Sequence, residues 1–271
     1  MFDFSYYTSV DMRNMIEFIR KYSRRTLIDN SLDDTQKLLH LRKRPKILLA
    51  QNFEQAVSYF DMYKNNLLGI ISDIRFPKEN KKDSKAGIYF SEYVQSIDEG
   101  VPIILQTTES SVSSDVSHIS DLLLNKNSTT LYYDLKELII KNFGFGNFIF
   151  KRINKNSNKI EATNIEELLI GIKEVSNESL VYHASRNHFS NWLSVRGEFN
   201  LANNFRKLKT SHFDNIKDRR SYHIELLENA LLNRKEKFKL VQFKKETYER
   251  SNFLRIGKGS LGGKARGLAF L

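Results

Sequence analysis

Residues 67–77 read Leu-Leu-Gly-Ile-Ile-Ser-Asp-Ile-Arg-Phe-Pro. An apolar run of strand length ends on a carboxylate, Asp73, and turns at Pro77. A strand that is apolar throughout, without alternation, is one covered on both faces. Similar runs flank it: Lys46–Ala50 before it, Pro102–Leu105 ending at Gln106-Thr107-Thr108, and Leu122–Leu124 ending at Asn125-Lys126. Helical stretches separate them. Val10–Asp29 carries Met12, Met15, Ile16, Ile19 and Tyr22 on one face, and Phe53–Tyr63 starts behind the capping residue Asn52. Ala86–Ile97, Ser110–Ile119 and Thr130–Phe143 follow, the last stopped by Gly144. Strands alternating with helices predict an α/β fold with a doubly wound parallel sheet.

In such sheets ligands sit at the carboxyl ends of the strands. Asp73, Thr107 and Lys126 each occupy that position on a different strand, so the topology brings them to one crevice. A carboxylate, a hydroxyl and an ammonium together suit phosphoryl transfer. Asp73 can act as nucleophile and form an acyl phosphate, Thr107 can hydrogen-bond a phosphoryl oxygen, and Lys126 can neutralise it. Sites of this kind also use Mg²⁺, held by further carboxylates and water. The plainer alternative is that Asp73 caps a loop while Thr107 and Lys126 are solvated strand ends.

Residues 46–143 resemble a response-regulator receiver domain, which has a flavodoxin-like fold. Asp73 with Pro77 four residues on matches the phosphoacceptor pattern, Thr107 the switch hydroxyl, and Lys126 the strand-end lysine. The departures are specific. Asn127 stands where receivers have proline, and the loop Lys78–Lys85 is expanded. The acidic pair that holds Mg²⁺ is reduced to Asp3, which would share the metal with Asp73. No apolar run precedes Asp3, so the sheet is expected to lack its first, central strand, as in a chain truncated at its N-terminus. A degenerate receiver that keeps the fold as an interaction module stays open beside the phosphoacceptor reading.

The charge divides the chain. Residues 1–150 hold 19 Lys+Arg and 19 Asp+Glu, whereas 151–271 hold 24 and 13 and carry the whole net charge of +11. The second half is expected to be mainly helical. In Tyr182–Phe199, the residues Phe189, Trp192, Leu193, Val195, Phe199 and, just beyond, Leu201 can form an apolar stripe. Leu180, His183, Asn187, Asn191 and Ser194 are not all expected in a core. His183 and His188, five apart, are poorly spaced as ligands on one helical face and read as polar packing or an interdomain contact. Ile224–Leu232 is a further amphipathic helix between basic clusters. Those basic residues are scattered, with no helix-turn-helix pattern or stacking module, and read as a solvated or domain-facing surface rather than a nucleic-acid site.

The chain ends in glycines: five of the eleven residues 257–267. Gly257-x-Gly259-x-x-Gly262 fits a dinucleotide fingerprint only nominally, and the segment is not a Walker A loop. Gly262, Gly263 and Lys264 at the start of a helix make a physically reasonable phosphate cradle. Ser260–Phe270 resembles the opening of the ATP-binding domain of the phosphoenolpyruvate synthase/pyruvate phosphate dikinase family, and the domain order resembles the N-terminal region of large synthases with a fused receiver. The resemblance implies a receiver-like domain over residues 1–150, a helical linker over 151–250, and the start of a truncated ATP-binding domain over 251–271. It implies a parent phosphotransferase that converts pyruvate to phosphoenolpyruvate with ATP and Mg²⁺. This fragment is then regulatory rather than catalytic, with the C-terminal catalytic domains of the same polypeptide and a histidine kinase as partners. The alternative is a stand-alone response regulator with a basic helical output.

Zero Cys excludes a disulfide scaffold and a Cys nucleophile. No run reaches the length of a membrane span, and the N-terminus lacks a signal-peptide layout, so a cytoplasmic protein with no membrane partner is expected.

Overall fold

The structure is a computed structural model, and it describes residues 17–22, 45–108, 122–153, 159–207, 215–237, 240–242 and 253–255. Residues 17–22 are helical (α1) and lie within the amphipathic stretch read from the sequence. Helix α2 (Phe53–Tyr63) starts where Asn52 accepts from the Gln55 N–H, satisfying one of the orphan donors of the first turn. Strand β1 (Ile70–Asp73) follows, then a short hairpin of β2 (Phe76–Lys78) and β3 (Lys81–Asp83). That hairpin is what the expanded lysine-rich loop builds. Helix α3 (Ala86–Ile97), strand β4 (Ile103–Thr107), strand β5 (Leu123–Asn125) and helix α4 (Leu131–Asn142) complete the first half.

Strands β1, β4 and β5 form a parallel sheet in that order, with Ile70 opposite Ile103 and Leu105 opposite Leu123. Successive side chains separate cleanly onto the two faces. Ile70, Ile103 and Leu105 pack with Phe60, Phe90 and Val94 of α2 and α3. Ile71, Ile104 and Leu124 pack with Phe18 of α1 and with Leu135 and Ile139 of α4. The chain is therefore mixed α/β, with a small parallel sheet covered on both faces.

Lys46–Ala50 departs from expectation: residues 45–50 belong to no helix or strand. Ile47 and Leu49 lean on the sheet core while Lys46 and Leu48 are exposed, a strand-like period without a strand beside it. The expected helix Ser110–Ile119 lies outside the described residues.

The second half is mainly helical: α5 (Ile165–Glu174), α6 (Asn177–Ser185), α7 (His188–Val195), α8 (Phe199–Lys207) and α9 (Ile216–Lys237). Phe148–Ile149 pairs with Glu161–Ala162, and Leu240–Gln242 with Phe253–Arg255, as two-stranded ribbons. Its core gathers Phe148, Phe150, Leu168, Phe189, Trp192 and Leu227, whereas Phe145 packs with the sheet. Phe199, read as part of the apolar stripe, is instead exposed. No helix among the described residues is long and apolar enough to cross a membrane.

The two halves are tied by side chains reading backbone. Arg206 donates to the carbonyls of Lys64 and Leu67 and to Asn191 Oδ1, all within 2.8 Å. Asn191 donates to the Leu68 carbonyl at 3.0 Å, and Asn187, in the left-handed region at φ 54°, donates to both oxygens of Asp98. Trp192 Nε1 and Arg196 both donate to the Gly146 carbonyl. Of Leu180, His183, Asn187, Asn191 and Ser194, not all are in the core: the first four are buried and Ser194 is half-buried. Three of the four are polar, and each is buried with a partner, which is what makes the burial affordable.

Candidate functional site at the carboxyl edge of the sheet

The sheet brings Asp73, Thr107 and Lys126 together. Asp73 is the last residue of β1, Thr107 the last of β4, and Lys126 follows β5 directly. The Lys126 N–H donates to the Thr107 carbonyl at 2.7 Å, extending the β4–β5 ladder by one step. Its Nζ then reaches across β4 to Asp73 Oδ2 at 2.6 Å. The pair is nearly dry: the side chains are 6% and 12% exposed. The other carboxylate oxygen, Oδ1, accepts from the Ile74 N–H at 2.9 Å. Both carboxylate oxygens are thus directed by specific donors, and the charge-assisted bond to lysine is the stronger of the two. Thr107 is buried beside them on the central strand.

Helix α3 starts against this site. The Gly87 N–H donates to the Ile74 carbonyl at 2.9 Å, and a Cβ at Gly87 would overlap the Asp73 carbonyl oxygen. Glycine is required there because backbone passes over backbone. Asn127, the residue at the receiver proline position, bonds the Thr108 carbonyl through Nδ2 and so ties the β4 and β5 loops.

Asp3, Gly262, Gly263 and Lys264 lie outside the described residues. Among the described residues no three His, Cys, Asp or Glu side chains group as a metal site.

A second polar cluster was not legible as such in the sequence. His183 and His188 sit on different helices, α6 and α7, and their Nδ1 atoms are 3.0 Å apart. The Lys151 N–H donates to His183 Nε2 at 2.8 Å. That bond places the proton of neutral His183 on Nδ1, from which it is donated to His188 Nδ1; His188 then carries its own proton on Nε2. Burial, reinforced by the neighbouring His188, Lys151 and Arg186, pushes His183 down to about 3; burial with Arg186 and Lys141 pushes His188 down to about 4. The five-residue spacing reflects a tight turn between helices rather than one helical face.

The basic excess of the second half is partly internal. Arg206 is half-buried in the junction, its guanidinium turned onto backbone carbonyls. Arg220 donates to the carbonyls of Ile172 and Val175 at the end of α5, where a cation complements the helix dipole. Arg234 pairs with Glu198 at 2.6 Å.

No family model, curated protein or solved structure matches this chain.

Proposed function

We propose that residues 46–143 act as a receiver-like regulatory module whose phosphoacceptor is Asp73. The observation that carries this reading is the Asp73–Lys126 pair at 2.6 Å, next to Thr107, at the carboxyl edge of three parallel strands. In the proposed reaction an Asp73 oxygen attacks the phosphorus of a phosphohistidine or a small acyl phosphate. A new P–O bond forms, and the bond to the donor breaks with its electron pair leaving on the donor. Lys126, released from the carboxylate, neutralises a phosphoryl oxygen, and the Thr107 hydroxyl donates to another. In the resemblance Mg²⁺ would be held by Asp73 and Asp3 and would neutralise phosphoryl oxygens.

The resemblance of Ser260–Phe270 and of the domain order supports a regulatory front end of an ATP-dependent dikinase of the phosphoenolpyruvate synthase type. In that setting Gly262, Gly263 and Lys264 contact ATP phosphates in the parent, and the helical half transmits the state of the receiver-like half to the catalytic domains. Incubation of the chain with acetyl phosphate and Mg²⁺, read by intact mass, tests the central step. One added phosphoryl group on the wild type and none on Asp73→Asn is expected. An unlabelled wild type, under conditions that label a control receiver, leaves the fold as an interaction module only.

A further inference from the structure

Helix α3 touches the candidate site at its start and the junction between the halves at its end. At the start, one peptide group carries two links. The Ile74 N–H donates to Asp73 Oδ1 at 2.9 Å, and the Ile74 carbonyl accepts from the Gly87 N–H at 2.9 Å. Gly87 also lies against the Asp73 carbonyl, where no Cβ would fit. At the end, Asp98 follows the last helical residue, and its N–H donates to the Val94 carbonyl at 2.9 Å. Each oxygen of the Asp98 carboxylate accepts from Asn187 Nδ2 at 3.0 Å, and Oδ1 also accepts from the Gly100 N–H at 3.1 Å. A Cβ at Gly100 would overlap the Asn187 side-chain amide, so here too bare backbone meets the neighbouring element.

Between these ends there is little slack. The 12 residues of α3 make a rod of about 18 Å at 1.5 Å per residue. Phe90 and Val94 are fully buried, and Ser91 Oγ donates to the Gly87 carbonyl at 2.7 Å. A close-packed helix shifts as a unit. The turn at its far end is the part that can change state. Asn187 holds φ at 54°, a left-handed conformation that costs a residue with a side chain. Its side chain makes no cap on its own helix, α7, and serves Asp98 instead. The same turn brings the Nδ1 atoms of His183 and His188 to 3.0 Å, and one helical turn on, Asn191 holds the Leu68 carbonyl and Arg206. The grip of Asp98 on Asn187 therefore bears on the whole junction.

We propose that α3 is a coupling rod that passes the state of the Asp73 carboxylate to the α6–α7 turn of the helical half. The nature of the signal rests on the phosphoacceptor reading; the linkage between the two ends does not. A phosphoryl group on Asp73 changes the charge that faces the Ile74 N–H and so moves the Ile74 peptide. Gly87 is bonded to that peptide and packed on the Asp73 backbone, so the start of α3 follows. A shift of the rod reaches Asp98, where both bonds to Asn187 loosen or tighten together. Released from Asp98, Asn187 has nothing from α3 to hold its left-handed turn. Coupling of this kind is reciprocal, so a change at Asn187 also reaches Asp73.

The test is amide exchange on the full chain with one variant at each end. Asp73→Asn alters the site. Asn187→Gly deletes the amide that grips Asp98 while leaving a residue at ease at positive φ. Asp73→Asn is expected to change exchange at Gly100 and Asn191 about fivefold or more, and Asn187→Gly to change it at Gly87 by a similar factor. Leu168 and Ile172, in the core of the helical half, are expected to keep their rates in both variants. Phosphorylation of the wild type by acetyl phosphate and Mg²⁺ is expected to move Gly100 and Asn191 as well. A wild type that takes no phosphoryl group defeats the phosphoacceptor reading, while the two variants still decide the linkage. The linkage is overturned if either variant leaves the far end unchanged, if a phosphoryl group on Asp73 leaves Gly100 and Asn191 unchanged, or if Leu168 and Ile172 change by the same factor, which is general loosening of the fold.

Discussion

Lys126 Nζ sits 2.6 Å from Asp73 Oδ2, spanning from the end of the third strand in the sheet to the end of the first, over the central strand. This one contact joins the fold to the chemistry. It exists because three parallel strands end at the same level, and it leaves a carboxylate held by the cation that the proposed phosphoryl transfer would require.

Breaking the pair from either side leaves a nearly buried charge alone. Lys126→Ala and Asp73→Ala are each expected to cost about 3 kcal/mol in urea unfolding, and the double variant to cost less than the sum. Additive costs would mean that the two side chains do not act as a pair.

Gly87→Ala places a methyl group against the Asp73 carbonyl. Backbone cannot yield as a flexible side chain does, so about 2 kcal/mol of destabilisation is expected together with slower labelling at Asp73. Unchanged stability and labelling would show that α3 does not set the position of this loop.

Arg206→Ala strips the Lys64 and Leu67 carbonyls and Asn191 Oδ1 of one shared donor. A loss of about 3 kcal/mol is expected, with earlier proteolysis between the two halves. Arg206→Lys is expected to recover little, because an ammonium cannot reproduce the planar fork that reaches three acceptors. Full recovery by lysine would reduce the junction to simple charge.

Three histidines, His183 and His223 buried and His188 half-buried, set a pH dependence. His183 and His223 are held near 3 and His188 near 4, chiefly by burial, against an ordinary value of 6.5. Between those limits the unfolded chain binds more protons than the folded one, so stability falls as pH drops from about 6.5 toward 3 to 4 and is flat above that window for these groups. Unfolding midpoints measured from pH 7.5 to 4.5 check this. His223→Phe, matching the ring that stacks on Phe205 at 4.5 Å, is expected to flatten the profile, and an unchanged slope would contradict the assignment.

The sheet and its candidate site were legible because each rests on local signals. Apolar runs predict the strands, and a polar residue at the end of each run predicts what the parallel edge collects: Asp73, Thr107 and Lys126. Lys46–Ala50 has the same composition but no strand beside it, and composition alone cannot supply a hydrogen-bonding partner. The junction was illegible for a different reason. Asn187, Asn191 and Arg206 look like surface residues, and their partners are mostly backbone carbonyls and the side chain of Asp98, far away in the chain, which no side-chain pattern announces. The His183–His188 contact likewise depends on a turn between two helices that spacing on one helix hides.

The most direct measurement is to locate the phosphoryl group. After incubation with acetyl phosphate and Mg²⁺, borohydride reduces an aspartyl phosphate to homoserine, and the residue is read by peptide sequencing. Conversion at Asp73 alone, reduced in Lys126→Ala, is the predicted result. Conversion at another carboxylate, or none at Asp73 while a control receiver is converted, contradicts the assignment of Asp73 as phosphoacceptor.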